Sequence, residues 1–178
     1  RLSFLDTYLT ALGVEHRLVT DDEAFRDGLR SGSYNTYWLS GGGEKLHDSI
    51  GEELREAIYR GDALVLDGVH DERNKVLDEA AGILYRGKTC VIGNGVVIGK
   101  LSPVDLPVSA GLASTVTGTP VFTAVELASQ GRALHLQLAG GAQQAIFSNA
   151  HKPGELPYPA IISHTYGQGK ALTFAFDL

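Results

Sequence analysis

The sequence contains a single cysteine, Cys90, a single tryptophan, Trp38, and no methionine among its 178 residues. One cysteine excludes an intrachain disulfide and every zinc site that needs several cysteines. Basic residues are also few, with 15 Lys and Arg against 21 Asp and Glu, and no basic run exceeds two residues. Because phosphate groups and anionic membrane surfaces attract clustered Lys and Arg, we expect neither a nucleic-acid partner nor binding to such a surface.

Long apolar runs are absent too, and none approaches the roughly 20 residues needed to span a bilayer, so no membrane insertion is expected. Hydrophobic residues make up 43% of the chain and charged residues 20%, which is typical of a globular domain. No signal-peptide pattern is present, and we expect one domain over residues 1–178, excised from a larger protein that carries any targeting signal elsewhere. The compartment cannot be read from these residues, and we lean toward an extracytoplasmic location as part of a larger exported protein.

Apolar residues at helical spacing predict three helices in the first third of the chain. The first segment repeats leucine every three or four residues and is followed by Gly13, a typical helix end. Residues 21–32 begin with acidic side chains and end in glycine, and residues 46–61 show the clearest helical pattern. The leucines of the first helix are Leu2, Leu5, Leu9 and Leu12.

Short apolar runs between these helices predict strands at residues 16–20, 34–43 and 62–68. A further helix at 73–87 and a β-rich stretch at 88–99 continue the alternation. Alternating helices and strands with short connections predict an α/β fold, in which helices cover both faces of a parallel sheet.

A sheet of this kind usually begins with a strand, whereas this chain begins with a helix. Two explanations remain open. Either a first strand lies upstream of Arg1, or the last strands of the chain fill its place. We favour the upstream strand.

The pattern changes after residue 100. Residues 100–120 contain three prolines and little periodicity, so we expect an irregular excursion there. Residues 133–139, 143–149 and 159–177 are predicted as strands. The last of these ranges is predicted to be a β-hairpin, whose turn is the Gly-Gln-Gly segment at 167–169.

Two motifs are the strand YWLSGGG, which ends in the glycines at 41–43, and the strand LVLDGVHDERN, which leads into Gly68 and His70. They resemble motifs of the class I glutamine amidotransferase-like superfamily, whose fold is flavodoxin-like. The segment YWLSGGG ends in glycines at 41–43, as the third strand of that superfamily ends in a Gly-Gly pair. The segment LVLDGVHDERN is similar to the strand that leads into Gly-x-Cys-x-Gly, the turn that carries the nucleophile. Gly68 matches the first glycine of that turn, His70 stands where the cysteine would be, and Glu72 replaces the second glycine.

The chain is more similar to the trehalose-utilisation branch of this superfamily, in which Gly-x-His stands in place of Gly-x-Cys. That branch also ends with a proline, a strand, Tyr-Gly-x-Gly-Lys/Arg and a last strand. The matching residues are Pro159, Tyr166, Gly167, Gly169 and Lys170. The resemblance implies a flavodoxin-like three-layer sandwich with a mainly parallel central sheet and a C-terminal β-hairpin.

The turn after the LVLD strand is the candidate site. His70 would act there as an acid/base with Asp71 and Glu72, or bind a ligand, because open α/β sheets place ligands at the carboxyl ends of their strands. The structural alternative is a turn in which His70 hydrogen-bonds locally and Asp71 or Asn74 caps the next helix. The candidate ligand-binding residues are His70 and the glycines Gly41, Gly42 and Gly43, where bare backbone lets a ligand approach.

Glutamine hydrolysis is not expected. Imidazole cannot form the thioester that this reaction requires, and no late His-x-Glu motif follows the turn. Cys90 lies within a predicted strand rather than at the helix N-terminus that activates a thiol. A metal at His70 would need distant ligands such as His47 or His151, so we expect neither a metal nor a cofactor.

Two further groups of residues have predicted structural roles. Tyr37 and Trp38 are adjacent in a strand and point to opposite faces, so at least one of them belongs to the core. His16, His135 and His164 have no acid/base partner nearby in the sequence, and we expect them to be structural.

These expectations favour a degenerate, non-catalytic amidotransferase-like domain that serves as a binding or structural module of a larger bacterial protein. Its partners would be the other domains of the parent chain and a small-molecule or carbohydrate ligand. Two alternatives stay open: a carbohydrate-active enzyme of the trehalose-utilisation type that uses His70 as acid/base, and an architectural domain that holds neighbouring domains or subunits.

Overall fold

Among the described residues, helices and strands alternate in the first half of the chain, and those of the second half lie mainly in strands. The computed structural model describes residues 2–41, 46–68, 74–91, 101–103, 132–147 and 158–175. The helices in these ranges are α1 (Leu2–Ala11), α2 (Asp22–Ser31), α3 (Asp48–Arg60) and α4 (Asp78–Ala81), with a 3₁₀ helix at Lys75–Leu77. The strands are β1 (Thr36–Ser40), β2 (Ala63–Asp67), β3 (Ile83–Val91), β4 (Leu101–Pro103), β5 (Arg132–Leu138), β6 (Ala142–Phe147), β7 (Tyr158–Tyr166) and β8 (Gly169–Phe174). The predicted α/β class is confirmed.

Within the described ranges, six strands form one mixed sheet in the order β1-β2-β8-β7-β6-β4, and β3 pairs with β5 in a second, antiparallel sheet. The expected parallel arrangement is found at one end, where β1, β2 and β8 run parallel. The rest is antiparallel, in part because a tight turn joins β7 to β8 and such a turn can connect only antiparallel neighbours. The predicted C-terminal hairpin is thereby confirmed. Residues 101–103 of the predicted excursion at 100–120 form β4 against β6, and residues 104–120 lie outside the described residues.

The strand predicted at residues 16–20 is wrong, because residues 14–20 have no regular secondary structure. They follow α1 and its predicted glycine end, Gly13, which adopts a left-handed conformation (φ 68°). A strand needs a hydrogen-bonded neighbour, and no strand within the described ranges pairs with this segment. A β-type sequence alone is therefore insufficient here.

The helix predicted at residues 73–87 is much shorter in the structure. Asn74 caps the 3₁₀ helix by accepting the N–H of Val76 (3.0 Å), and α4 then lasts for four residues. Gly82 ends it in a left-handed conformation (φ 65°), with its N–H donating to the carbonyl oxygen of Glu79 (3.1 Å). The apolar residues that follow continue as β3 instead of a helix.

The apolar stripe of α3 belongs to the buried core, as its spacing predicts. Its residues Ile50, Leu54, Ala57 and Ile58 are each at most 2% exposed. The strand residues that are also buried include Tyr37, Leu39, Leu64 and Leu66. Because burying a leucine-sized side chain contributes about 1.5–3 kcal/mol, this layer is a main source of the stability of α3 on the sheet.

The turn between β7 and β8 lies against the carboxyl-terminal end of α3. The N–H of Gln168 donates to the carbonyl oxygen of Tyr59 (2.9 Å), and the N–H of Lys170 donates to that of Asp62 (3.2 Å). The first of these bonds satisfies a carbonyl that the end of a helix leaves without an intrahelical partner. The turn therefore caps the helix that covers the sheet.

Both glycines of the Tyr-Gly-Gln-Gly-Lys turn are required by this contact. A Cβ on Gly169 would lie 2.0 Å from the carbonyl oxygen of Ile58 and 2.3 Å from that of Asp62. Gly167 has a left-handed conformation (φ 59°), and its Cβ would lie 2.3 Å from the carbonyl oxygen of Tyr59. The motif that resembles the trehalose-utilisation ending thus has a structural explanation in this chain, the close packing of β8 on α3.

We expect Gly169→Ala to lower the free energy of unfolding by about 2–4 kcal/mol, because its methyl group would overlap two backbone oxygens that cannot easily move. The matched control is Gly28→Ala in α2, where a Cβ meets no atom within 4 Å. There the better helix propensity of alanine should raise the free energy of unfolding by about 0.5–1 kcal/mol. Urea denaturation measures both changes. A Gly169→Ala protein as stable as the wild type would contradict the close approach.

Candidate functional site

Three parallel strands end at one edge of the sheet. Ser40 ends β1 and lies opposite Asp67, which ends β2, while Phe174 ends β8. Gly41 (φ 75°) and Gly68 (φ 108°) follow the first two strands in conformations that other residues rarely adopt, so the chain turns sharply there. Open α/β sheets hold their ligands at this carboxyl edge.

The carboxylate of Asp67 joins β1 to β2 at this edge. Asp67 is only 4% exposed. One of its oxygens accepts the indole N–H of Trp38, and the other accepts the hydroxyl of Ser40 (3.1 Å). A buried carboxylate is costly unless its oxygens are hydrogen-bonded, so these donors stabilise the group where it lies. Asp67 is not among the predicted site residues, although a carboxylate at the last position of an apolar strand is a signal that could have identified it.

A cavity of about 700 Å³ borders β1. It lies between α1, residues 14–20, α2 and β1, and Trp38 and Ser40 line it. Tyr37, the neighbour of Trp38, is buried in the core and meets Phe25 edge-on, with ring centroids 5.9 Å apart. The prediction that at least one of the two adjacent aromatic residues belongs to the core is therefore confirmed. Apolar lining residues include Leu5, Leu9, Leu18, Leu46 and Val65.

His16 and Asp6 are hydrogen-bonded at the cavity wall, between the irregular segment and α1. The Nδ1 of His16 lies 2.7 Å from the carbonyl oxygen of Val14, and its Nε2 lies 3.0 Å from the carboxylate of Asp6. Both neighbours are acceptors, and only the protonated ring donates from both nitrogens. The Val14 carbonyl first, and Asp6 second, therefore raise the pKa of His16 above its ordinary value. This partner is not apparent from the sequence because it lies on another element.

Two further carboxylates at the cavity also serve the fold. Asp21 caps α2 by accepting the N–H of Ala24 (2.8 Å). Asp22 accepts the N–H of His47 (3.0 Å) and so connects the first turn of α2 to the start of α3. Acidic residues in the first turn of a helix also complement its dipole.

Most of the predicted site residues lie outside the described residues, and their predicted roles stay predictions. These residues are Gly42, Gly43, His70, Asp71 and Glu72. His151, which a metal at His70 would need as a distant ligand, also lies outside the described residues. Gly41, the remaining predicted ligand-binding glycine, lies at the carboxyl edge and lines the cavity. Asn74 is the predicted alternative cap, and its amide also donates to the carbonyl oxygen of Leu46 (3.0 Å).

Other residues that the sequence singles out have structural surroundings. His47 precedes α3, and its Nδ1 accepts the N–H of Ser49 (3.3 Å). His164 packs so closely on Gly82 that a Cβ there would lie 2.5 Å from its ring. Cys90 lies in β3, as predicted.

In the described part of the chain, no three His, Cys, Asp or Glu residues are grouped to hold a metal ion. None of the described helices has the length and apolar character to cross a membrane.

Comparison with known proteins gives similarity of fold. No protein-family model matches the chain, and no curated protein matches it. Cytoplasmic protein STM3548 from Salmonella typhimurium is similar with a TM-score of 0.58 and 14% identity, over 95% of this chain and 72% of that protein. The exo-beta-1,4-mannosidase Op5Man5 from Opitutaceae bacterium strain TAV5 has a TM-score of 0.51 and 11% identity over 80% of this chain.

A beta-galactosidase, Gan42B from G. stearothermophilus, is similar to the same extent, with a TM-score of 0.52 and 13% identity over 80% of this chain. The chain spans only 20% of the mannosidase and 19% of the beta-galactosidase, about a fifth of each enzyme. At these identities the likeness concerns the fold alone.

We expect the pKa of His16 to lie above its ordinary value and to be lower in Asp6→Asn than in the wild type. NMR titration of the ring protons of His16 measures both values. The fall should be partial because the bond to Val14 remains. A raised pKa in the folded state gives stability that is complete below the pKa of the unfolded chain and is lost as the pH rises through the folded value. Asp6→Asn should therefore lower stability more at about pH 5 than at about pH 8.

The control for this titration is Glu56→Gln, which removes an exposed carboxylate of α3 that lies 4.0 Å from Arg60. It should leave the titration of His16 unchanged. An equal loss of stability in Asp6→Asn at both pH values would contradict the proton-linked pairing of His16 with Asp6.

Proposed function

We propose that the chain is a non-catalytic domain that serves as a binding or structural module of a larger bacterial protein. The observation that carries this proposal is the structural use of the acidic side chains around the carboxyl edge and the cavity. Asp67 accepts hydrogen bonds from two side chains of β1. Asp21 caps α2, and Asp22 connects α2 to α3. A general acid or base must exchange a proton with a substrate, whereas these carboxylates accept hydrogen bonds from the protein itself.

The sequence of the turn after β2 supports the same conclusion. His70 stands where the resemblance to the class I glutamine amidotransferase-like superfamily would place a cysteine nucleophile. We infer that the domain is a degenerate member of that superfamily with a flavodoxin-like three-layer arrangement. The parallel strands β1, β2 and β8 and the helix α3 are the described parts that support this arrangement.

The fold comparisons support the placement in a larger protein. In the exo-beta-1,4-mannosidase and the beta-galactosidase, a region with this fold is about a fifth of a bacterial polypeptide. By analogy with those two enzymes, a carbohydrate is the small-molecule ligand that we propose to test first. The mixed apolar and polar lining of the cavity, which includes Trp38 and Ser40, is compatible with such a ligand.

The second candidate function is a carbohydrate-active enzyme of the trehalose-utilisation type. It is favoured by the position of β2, which ends at the carboxyl edge with Asp67, three positions before His70. In this alternative, His70 is the acid/base, with Asp71 and Glu72 beside it in sequence.

Hydrolysis assays distinguish the two candidates. We expect the wild-type chain to release neither ammonia from glutamine nor p-nitrophenol from p-nitrophenyl glycosides above the rate in buffer, and His70→Ala to behave in the same way. Glycoside hydrolysis that is present in the wild type, lost in His70→Ala and retained in His47→Ala would overturn the non-catalytic proposal. His47 is a suitable control because its ring hydrogen-bonds at the start of α3.

A further inference from the structure

The cavity runs along the edge of β1 rather than along one of its faces. Six consecutive residues, Thr36 to Gly41, line one side of it, and nine consecutive residues, Val14 to Asp22, line the other. Successive side chains of a strand point to opposite faces. A space that all six residues border must therefore adjoin the backbone edge of the strand.

One hydrogen bond fixes which backbone groups of β1 face the cavity. The N–H of Ala63 in β2 donates to the carbonyl oxygen of Asn35 (2.8 Å). In an extended strand the N–H and C=O of one residue point to the same side, and the side alternates from residue to residue. The backbone groups of Thr36, Trp38 and Ser40 therefore point away from β2 and toward the cavity. Within the described residues, β1 has a strand partner on the β2 side alone.

The surroundings of the cavity suit an apolar strand. Leu5 and Leu9 of α1, Phe25 of α2 and Val65 of β2 line it. Strands that are buried between layers of an α/β fold are apolar on both faces. The backbone edge offers hydrogen bonds and the side chains offer apolar contacts, which is the combination by which a sheet accepts an added strand.

We propose that this cavity is the seat of one more β-strand, supplied by the segment of the parent polypeptide that leads into α1. This inference rests on the proposed function, in which the chain is a module of a larger protein. The strand would pair with β1 through Thr36, Trp38 and Ser40 and pass beneath Leu5 and Leu9. Among the described residues, the last strands do not fill this place, because β8, β7 and β6 all lie on the other side of β2.

The proposal also accounts for the irregular structure of residues 14–20. These residues carry the strand-type sequence His-Arg-Leu-Val-Thr at 16–20 and lie across the cavity from β1. A strand seated in the cavity would have β1 on one side and residues 16–20 on the other. Residues 16–20 would then gain the hydrogen-bonded neighbour that a strand requires.

The test uses the 178-residue chain with two N-terminal extensions of equal length. One extension carries a strand of about six valine and isoleucine residues, long enough to span β1 at 3.3 Å per residue, followed by a glycine-serine connection. The control extension replaces each valine and isoleucine with serine or glycine. Hydrogen exchange of the backbone amides of β1 is measured by NMR in both proteins.

In the control protein we expect the amides of Trp38 and Ser40 to exchange at least about tenfold faster than those of Tyr37 and Leu39, which point toward β2. The valine-isoleucine extension should slow Trp38 and Ser40 by at least about tenfold, because a paired amide exchanges only through local opening. Equal rates for Trp38 and Ser40 in the two proteins would overturn the proposal.

Other occupants of the cavity would give distinct results, and each of these would also overturn the proposed upstream strand. Protection of Trp38 and Ser40 in the control protein that rises with protein concentration would assign the edge to a second copy of the chain. Protection that appears on adding mannose or galactose would assign the cavity to a small sugar. Neither result depends on the hydrolysis assays. The proposal of a strand in the cavity can therefore fail while the non-catalytic proposal holds, and the reverse.

Discussion

The arrangement of the sheet depends on the close approach of the β7–β8 turn to the end of α3. The turn comes close to backbone oxygens at the end of the helix because Gly167 and Gly169 have no side chain. A Cβ at either position would overlap those oxygens. This contact accompanies the pairing of β8 with β2, in which Leu64 lies opposite Ala171. Because β8 lies on one side of β2, β1 occupies the other side and forms the end of the sheet that borders the cavity.

The carboxyl edge shows how the fold uses its polar groups. The buried carboxylate of Asp67 hydrogen-bonds Trp38 and Ser40, and both donors belong to β1, the strand with a described partner on one side alone. A hydrogen bond typically contributes about 0.5–1.5 kcal/mol to stability, and leaving a buried polar group without its partner costs more. These polar side chains near the sheet edge therefore help to hold β1 against β2.

Local patterns in the sequence could predict the helices with strong periodicity. The buried stripe of α3 and the left-handed Gly32 that ends α2 both follow from the residues of those helices alone. The end of α4 at Gly82 could not be predicted in this way. The conformation of Gly82 is held by contacts with a distant part of the chain, since its carbonyl oxygen accepts the N–H groups of Ala139 and Gly141.

The candidate site was only partly predictable, for the same physical reason. The glycines that follow strands in the sequence indicate the carboxyl edge. Gly41 and Gly68 both have positive φ angles there. The bond between Asp67 and Trp38 depends on the register of two strands that lie 29 residues apart, and no local pattern encodes that register. Residues 16–20 have the composition of a strand, but pairing decides whether such a segment becomes one.

We propose that the polar groups at the carboxyl edge stabilise the fold rather than take part in a reaction. Trp38 is the sole tryptophan, so its indole N–H gives one NMR signal that reports directly on Asp67. We expect slow exchange of this proton with water in the wild type and fast exchange in Asp67→Ala, with the amide signals of α3 confirming that the variant is folded. Exchange that is equally fast in both proteins would overturn this proposal, because Asp67 would then be available to act on a ligand.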